Sequence, residues 1–373
     1  MNILILTVSA GSGHMTAAQA IYEEVTGRYG KDSAMIIDTL KYVNPILHKV
    51  VIGGYLGSLK ANPNIMNKIM QISDESDSNL ADISASINNL FSKKIKELIK
   101  KFKPDVIVST HFFPAQMLSV MKEKKKFDIP LVTVVTDFSV HSMWKQDCCD
   151  AYVVADKYSS YKLISQGVQE KNIYPYGIPV REQFKKKVNK KNARELLEIG
   201  LDKLTFMLIG GGFGFGDLMP AFHSFIPFEE EIELLIMCGS NEKLRKSFDK
   251  AIKKEAKTSS IRTCGYVDNV SEFMAASDFI ITKPGGLTIS ECMCMDLPMI
   301  LLDPLTEPEK YNEVFLINAG IAIKMPSENE MYSFLQYLRE RSLRIKQMRT
   351  MCRVMAKPCA SGDIVDLCEN LAD

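Results

Sequence analysis

The chain has 373 residues, enough for two domains with separate cores. Its 46% hydrophobic and 24% charged content is that of an ordinary folded protein and excludes a disordered one. A net charge of +1 excludes a global pull toward nucleic acid, and the nine cysteines show no CxxC pair or zinc-like spacing. The chain enters an apolar strand at residues 3–8 with no leader pattern, and no apolar run reaches membrane-spanning length. A reduced, cytoplasmic protein is the expectation.

That first strand ends in Ser9-Ala10-Gly11-Ser12-Gly13-His14, and helix-compatible Thr16-Ala17-Ala18-Gln19-Ala20-Ile21 follows. Gly11 and Gly13 let a ligand approach the backbone closely. Thr16 stands where a dinucleotide fingerprint needs its third glycine, and no Walker lysine follows, so the motif is weak as a cofactor signature. His14 falls at the helix start, at the carboxyl end of the strand. An imidazole there can take a proton from an attacking hydroxyl near neutral pH, although a histidine that only caps the turn gives the same pattern.

Between Asp38 and Asp74 there is no acidic residue, while Lys41, Lys49, Lys60 and Lys68 alternate with aliphatic residues and Tyr55. That mixture suits an anionic lipid surface; a core helix with a lid loop is the alternative. The lysines at 93–94 and 122–126 read as solvated helix faces. Strands are expected at 106–109, 131–136 and 152–155. Asp137 follows the second of these at its carboxyl end, where it could orient His14 or hold a substrate hydroxyl. His141 and the only tryptophan, Trp144, lie in the next loop, and an indole there can stack on a sugar or fill the core.

After Gly177-Ile178-Pro179-Val180 the basic stretch 185–191 reads as a linker into a helix at 192–199, and strand–helix alternation then restarts. Strands are expected at 206–210, 234–238, 279–282 and 299–302. The first is followed by five glycines within residues 210–216, including Gly212 and Gly214. So many glycines cost backbone entropy, and close approach of a phosphate or sugar accounts for them better than packing. An apolar run at 261–264 leads into Gly265-Tyr266-Val267-Asp268-Asn269. The strand at 279–282 leads into Lys283-Pro284-Gly285-Gly286-Leu287-Thr288-Ile289-Ser290-Glu291. A glycine turn that opens a helix directly after a strand aims N–H groups at one spot and can hold an anion. Thr288 and Ser290 add hydroxyls, and Glu291 can accept from a ribose. An ordinary strand–turn–helix corner has the same spacing. Alternating strands and helices predict an α/β chain of two Rossmann-like, doubly wound domains facing a cleft. The expected divisions are residues 1–184, 185–355 and a C-terminal helix within 356–373.

In order, these segments resemble the family of diacylglycerol sugar transferases that make monogalactosyl- and monoglucosyl-diacylglycerol. More distantly they are similar to the peptidoglycan lipid-intermediate transferase that adds N-acetylglucosamine. The resemblance implies a GT-B fold and inverting, metal-independent transfer, without a cofactor, from a UDP-sugar to the hydroxyl of diacylglycerol. It implies action at the inner face of the cell membrane, as a peripheral protein. It places uracil at the Val267 backbone, ribose at Glu291 and the diphosphate at Thr288 and the Gly285-Gly286 turn. Glu309 and Asn312 fall on the donor loop. His14 becomes the base candidate, with Asp137 a second acid/base or acceptor-binding candidate. Lys41, Lys49, Tyr55 and Lys60 fall on the part that meets the membrane, and the C-terminal helix is expected to return to the first domain.

One stretch departs from the family pattern. The usual Pro-Gly-Gln-Glu before an asparagine reads Thr306-Glu307-Pro308-Glu309 before Lys310-Tyr311-Asn312. Proline cannot offer the hydrogen bonds of the glutamine it replaces, which bears on donor identity. Glucose is the expected sugar. Transfer to another lipid acceptor, N-acetylglucosamine as donor, and a low-activity lipid- or nucleotide-binding paralogue are the alternatives.

Overall fold

The computed structural model describes residues 1–9, 11–45, 79–210, 218–340 and 342–373. They form two compact units. One comprises residues 1–181, 306–308 and 359–373, and the other residues 182–305 and 309–358.

The first unit is built on a six-stranded sheet. Its strands are β1 (Ile3–Thr7), β2 (Ala34–Asp38), β3 (Val106–Ser109), β4 (Leu131–Val134), β5 (Ala151–Val153) and β6 (Ile173–Tyr174). The order is β2-β1-β3-β4-β5-β6 and every pairing is parallel. The strands are short apolar runs because both faces are covered. Alternation along β1 divides the core: Leu4 and Leu6 pack with Phe91, Ile95, Leu118 and Trp144, while Ile3 and Ile5 pack on the opposite face. That opposite face is closed by the C-terminal helix Ala360–Ala372, through Ile364, Val365, Leu367 and Cys368. Arg28, near the end of the first helix Ser12–Tyr29, holds this helix through Asp366, and Tyr29 does so through Glu369.

The second unit repeats the plan with β7 (Leu204–Ile209), β8 (Ile232–Gly239), β9 (Ile261–Gly265), β10 (Phe279–Thr282), β11 (Met299–Leu301) and β12 (Ala322–Lys324). Their order is β12-β11-β10-β7-β8-β9, again all parallel. Phe206, Phe222, Phe225, Phe248 and Phe279 fill its core. Arg194, itself buried, is bound by the Asp278 carboxylate at 2.8 Å and the Thr205 hydroxyl at 2.9 Å, which anchors the entry helix Lys190–Leu196 to the sheet.

Both sheets reverse direction once. The chain runs from β1 outward to β2 and returns to the other side of β1 as β3; likewise it runs β7-β8-β9 and returns beside β7 as β10. Loops leaving the two strands at such a switch point diverge and open a crevice at the carboxyl edge of the sheet, the usual ligand position in this architecture. The strands not foreseen as such, β2, β6, β9 and β12, all lie at sheet edges.

Candidate functional site

At the first switch point, Leu6 of β1 pairs with Ser109 of β3. The Thr110 N–H donates to the Leu6 carbonyl at 3.1 Å, which fixes the two strand ends together. His14 lies in the first turn of the helix that follows β1, and its Nδ1 is 3.0 Å from the Thr110 carbonyl and 2.7 Å from the Thr136 hydroxyl. The Thr110 hydroxyl donates to the His14 carbonyl at 3.0 Å and lies 2.8 Å from the Thr7 hydroxyl. Residues just past the ends of β3 and β4 thus converge on one imidazole, with Thr7 at the end of β1 bracing Thr110. Burial pushes its pKa down to about 4, with the Thr110 carbonyl opposing the shift, so the ring is neutral at pH 7. A carbonyl can only accept, so Nδ1 carries the proton and Nε2 the lone pair.

His111 packs edge-on against His14, ring centroids 4.5 Å apart. Its Nδ1 accepts the Phe113 N–H at 3.0 Å and caps the helix Phe112–Glu123. Burial, then the nearby His14 and His141, hold it well below its ordinary pKa. Thr110 and His111 were not anticipated, although they follow an expected strand at its carboxyl end as His14 and Asp137 do. Asp137 is half-buried next to Thr136. Gly11 precedes the first helix in extended conformation, and a methyl there would meet His14 Cδ2 at an ordinary 3.9 Å; Gly13 lies in the first turn.

Of the two roles open to Trp144, the structure supports the core. The indole is 0% exposed and packs among Phe112, His141 and His14, with ring centroids 5.8, 5.8 and 6.4 Å away. Its ring faces pack within the hydrophobic core of the first unit. His141 is half-buried on the same aromatic cluster, 5.3 Å from Phe112.

At the second switch point, Thr282 of β10 pairs with Ile209 of β7. The Gly285 N–H donates to the Lys283 carbonyl at 2.8 Å, closing a tight turn around Pro284 before the helix Gly286–Cys294. Among the described residues no side chain caps this helix, no acid lies in its first turn, and a methyl on Gly285 would meet no atom within 4 Å. Helix N–H groups without a capping side chain suit an anion. Thr288 and Glu291 are half-buried in the first and second turns. Ser290 is buried, and its hydroxyl donates to the Gly286 carbonyl at 3.1 Å, so it serves the helix and not a ligand. Val267 is half-buried beside Tyr266, which is 71% exposed.

Glu309 and Asn312 occupy one face of the helix Glu307–Asn318, three residues apart. The Glu309 carboxylate takes the Leu305 N–H at 2.7 Å and pairs with Lys283 at 3.3 Å, each side chain 15% exposed. Asn312 is fully buried, and its amide donates to the Pro284 carbonyl at 2.8 Å. Both fall on the expected donor loop, and in the structure they brace the Lys283-Pro284-Gly285 turn. Pro308 stands at the second helical position, where its missing N–H leaves no intrahelical bond unmade.

Lys41 is exposed in the short helix Thr39–Val43, and Lys94 donates to the Tyr42 carbonyl at 3.1 Å. Lys49, Tyr55, Lys60 and Lys68, together with Gly212 and Gly214, lie outside the described residues. Among the described residues no helix is long and apolar enough to cross a membrane, and no three His, Cys, Asp or Glu side chains gather to hold an ion.

Residues 14–180 match the monogalactosyldiacylglycerol (MGDG) synthase family, and residues 205–357 match the glycosyltransferase family 28 C-terminal domain. Among curated relatives, the processive diacylglycerol beta-glucosyltransferase of Bacillus licheniformis is 28% identical over 93% of this chain and 89% of its own length. That of Bacillus mycoides is 27% identical over 100% and 94%. Among solved structures, Acinetobacter baumannii MurG superposes with a TM-score of 0.64 at 13% identity over 99% of both chains. Anabaena Alr3699/HepE in complex with UDP does so with a TM-score of 0.58 at 12% identity, over 99% of this chain and 100% of that one. At such identities the structures establish the GT-B fold alone. The same fold serves a UDP-GlcNAc 2-epimerase from Neisseria meningitidis, TM-score 0.61 at 12% identity over 99% and 100%.

Proposed function

We propose, from the premise that this chain belongs to the diacylglycerol glycosyltransferase family and is a UDP-sugar-dependent glycosyltransferase, that it moves glucose onto the free hydroxyl of diacylglycerol at a membrane surface. The observation that carries the reading is the geometry of His14 at the first switch point: its Nδ1 lies 3.0 Å from the Thr110 carbonyl, a contact that leaves the lone pair of the neutral ring on Nε2. In this reading the acceptor hydroxyl gives its proton to Nε2 as its oxygen bonds to the anomeric carbon. The bond from that carbon to the β-phosphate oxygen breaks, and UDP leaves with the electron pair. Attack opposite the leaving group inverts the anomeric centre. The helix N-terminus at Gly285-Gly286 would stabilise the charge gathering on the diphosphate, and no metal or other cofactor is part of the scheme. Asp137 stays a candidate for holding the acceptor. Val267, Thr288 and Glu291 stay candidates for the nucleoside diphosphate, and Lys41 for anionic lipid.

The test is the product made from UDP-glucose and diacylglycerol in vesicles containing EDTA. UDP-glucose is an α-anomer, so inversion gives a β-glucosyl lipid, read from the coupling of its anomeric proton. An α-linked product would overturn inversion, and loss of turnover in EDTA would overturn metal independence. A larger thermal shift with UDP-galactose or UDP-N-acetylglucosamine than with UDP-glucose would reassign the sugar.

A further inference from the structure

We infer that Thr110 and Thr136 are positioning residues for His14, a neutral pair that does the orienting work a carboxylate does for many catalytic histidines. This deepens the proposed function and rests on His14 being the base. Two oxygens approach the same ring nitrogen, the Thr110 carbonyl at 3.0 Å and the Thr136 hydroxyl at 2.7 Å. The carbonyl cannot donate, so it selects the tautomer with its proton on Nδ1, the only neutral form in which Nε2 can act as a base. The hydroxyl then shares that N–H as a second acceptor.

The pair is itself fixed. Thr110 is fully buried, and its hydroxyl is held between the His14 carbonyl and the Thr7 hydroxyl. Thr136 is 5% exposed. The consequence is chemical as well as geometric. An imidazole that burial holds near pKa 4 is a reluctant proton acceptor. When Nε2 takes the acceptor's proton, the two oxygens on Nδ1–H face a developing cation, and a hydrogen bond to a charged group is about twice as strong as a neutral one. Their support is therefore greatest in the transition state.

Thr136→Val keeps the shape of the buried side chain and removes the hydroxyl; Thr136→Ser keeps the hydroxyl. With UDP-glucose and diacylglycerol vesicles, Thr136→Val is expected to lower kcat about 10-fold with the donor KM unchanged, and Thr136→Ser to stay within about 2-fold of the parent. In a His14→Ala background, Thr136→Val is expected to have no further effect on kcat, which a merely structural role would not produce. NMR of protein labelled with ¹⁵N-histidine, with His14 assigned by its loss in His14→Ala, is expected to show His14 protonated at Nδ1. A His14 proton on Nε2, an unchanged kcat in Thr136→Val, equal losses in the Val and Ser variants, or additive losses with His14→Ala would each overturn the inference. If His14→Ala itself keeps full turnover, the base assignment has failed and not merely its support.

Discussion

His14 is where chemistry and stability meet. His14→Ala is expected to lower turnover by about 100-fold or more while leaving UDP affinity intact, measured by single-turnover kinetics and calorimetry. Its depressed pKa also sets a pH signature. In the unfolded chain the imidazole titrates near 6.5 and in the folded chain near 4, so between those values the unfolded state binds more protons. The stabilisation is complete above pH 6.5 and is lost as pH falls toward 4. His111 shifts in the same direction and adds to the loss. His111→Asn removes that titration and keeps a side-chain acceptor for the Phe113 N–H. Its Tm is expected to fall less steeply than the parent's between pH 6.5 and 4; an equal slope would remove His111 from the account. The acid limb of kcat/KM is expected below pH 6.5, and a limb at 6.5 would show that the His14 site is wetter than described. His14 was legible in the sequence because it follows a strand and two glycines. Its partners were not, since Thr110 and Thr136 lie 96 and 122 residues away and meet it only through parallel pairing of β1, β3 and β4.

At the scale of elements, the turn after β10 was read correctly as a strand leading into a glycine turn and a helix, because short buried runs and paired glycines are local signals. Gly285 has φ −81°, which any residue adopts, and no atom of the described residues lies within 4 Å of its Cβ position. Gly285→Ala is therefore expected to leave Tm within about 1 °C of the parent and to weaken UDP binding about 10-fold or more if a diphosphate fills that space. Unchanged UDP affinity would place the diphosphate elsewhere. What the sequence did not display was bracing across segments, as when Asn312 reaches back to Pro284 and Glu309 to Lys283. Asn312→Ala is expected to cost about 1–3 kcal/mol of stability, read by urea denaturation, by leaving the Pro284 carbonyl unpaired. Pro308 departs from the family pattern, and the helix accommodates it because its first turn leaves that N–H without an intrahelical partner. The edge strands β6 and β12, two and three residues long, were missed because short edges carry little apolar periodicity. The role of Trp144 stayed open for a related reason: whether an aromatic faces solvent or core depends on how its loop folds, which local sequence does not encode.

At the scale of the whole molecule, two copies of one plan make up the chain. Each sheet places its switch point between a strand and the later strand that returns beside it, β1 with β3 and β7 with β10. One switch point carries a neutral histidine and the other a helix N-terminus without a side-chain cap. The C-terminal helix belongs to the first unit, so both units depend on chain that the other interrupts, and truncation at residue 358 would strip one face of the first core. The central claim is tested most directly by UDP release from UDP-glucose on anionic vesicles with and without diacylglycerol. The account predicts release that requires diacylglycerol and disappears in His14→Ala. Release that ignores diacylglycerol, or none with any UDP-sugar, would contradict it.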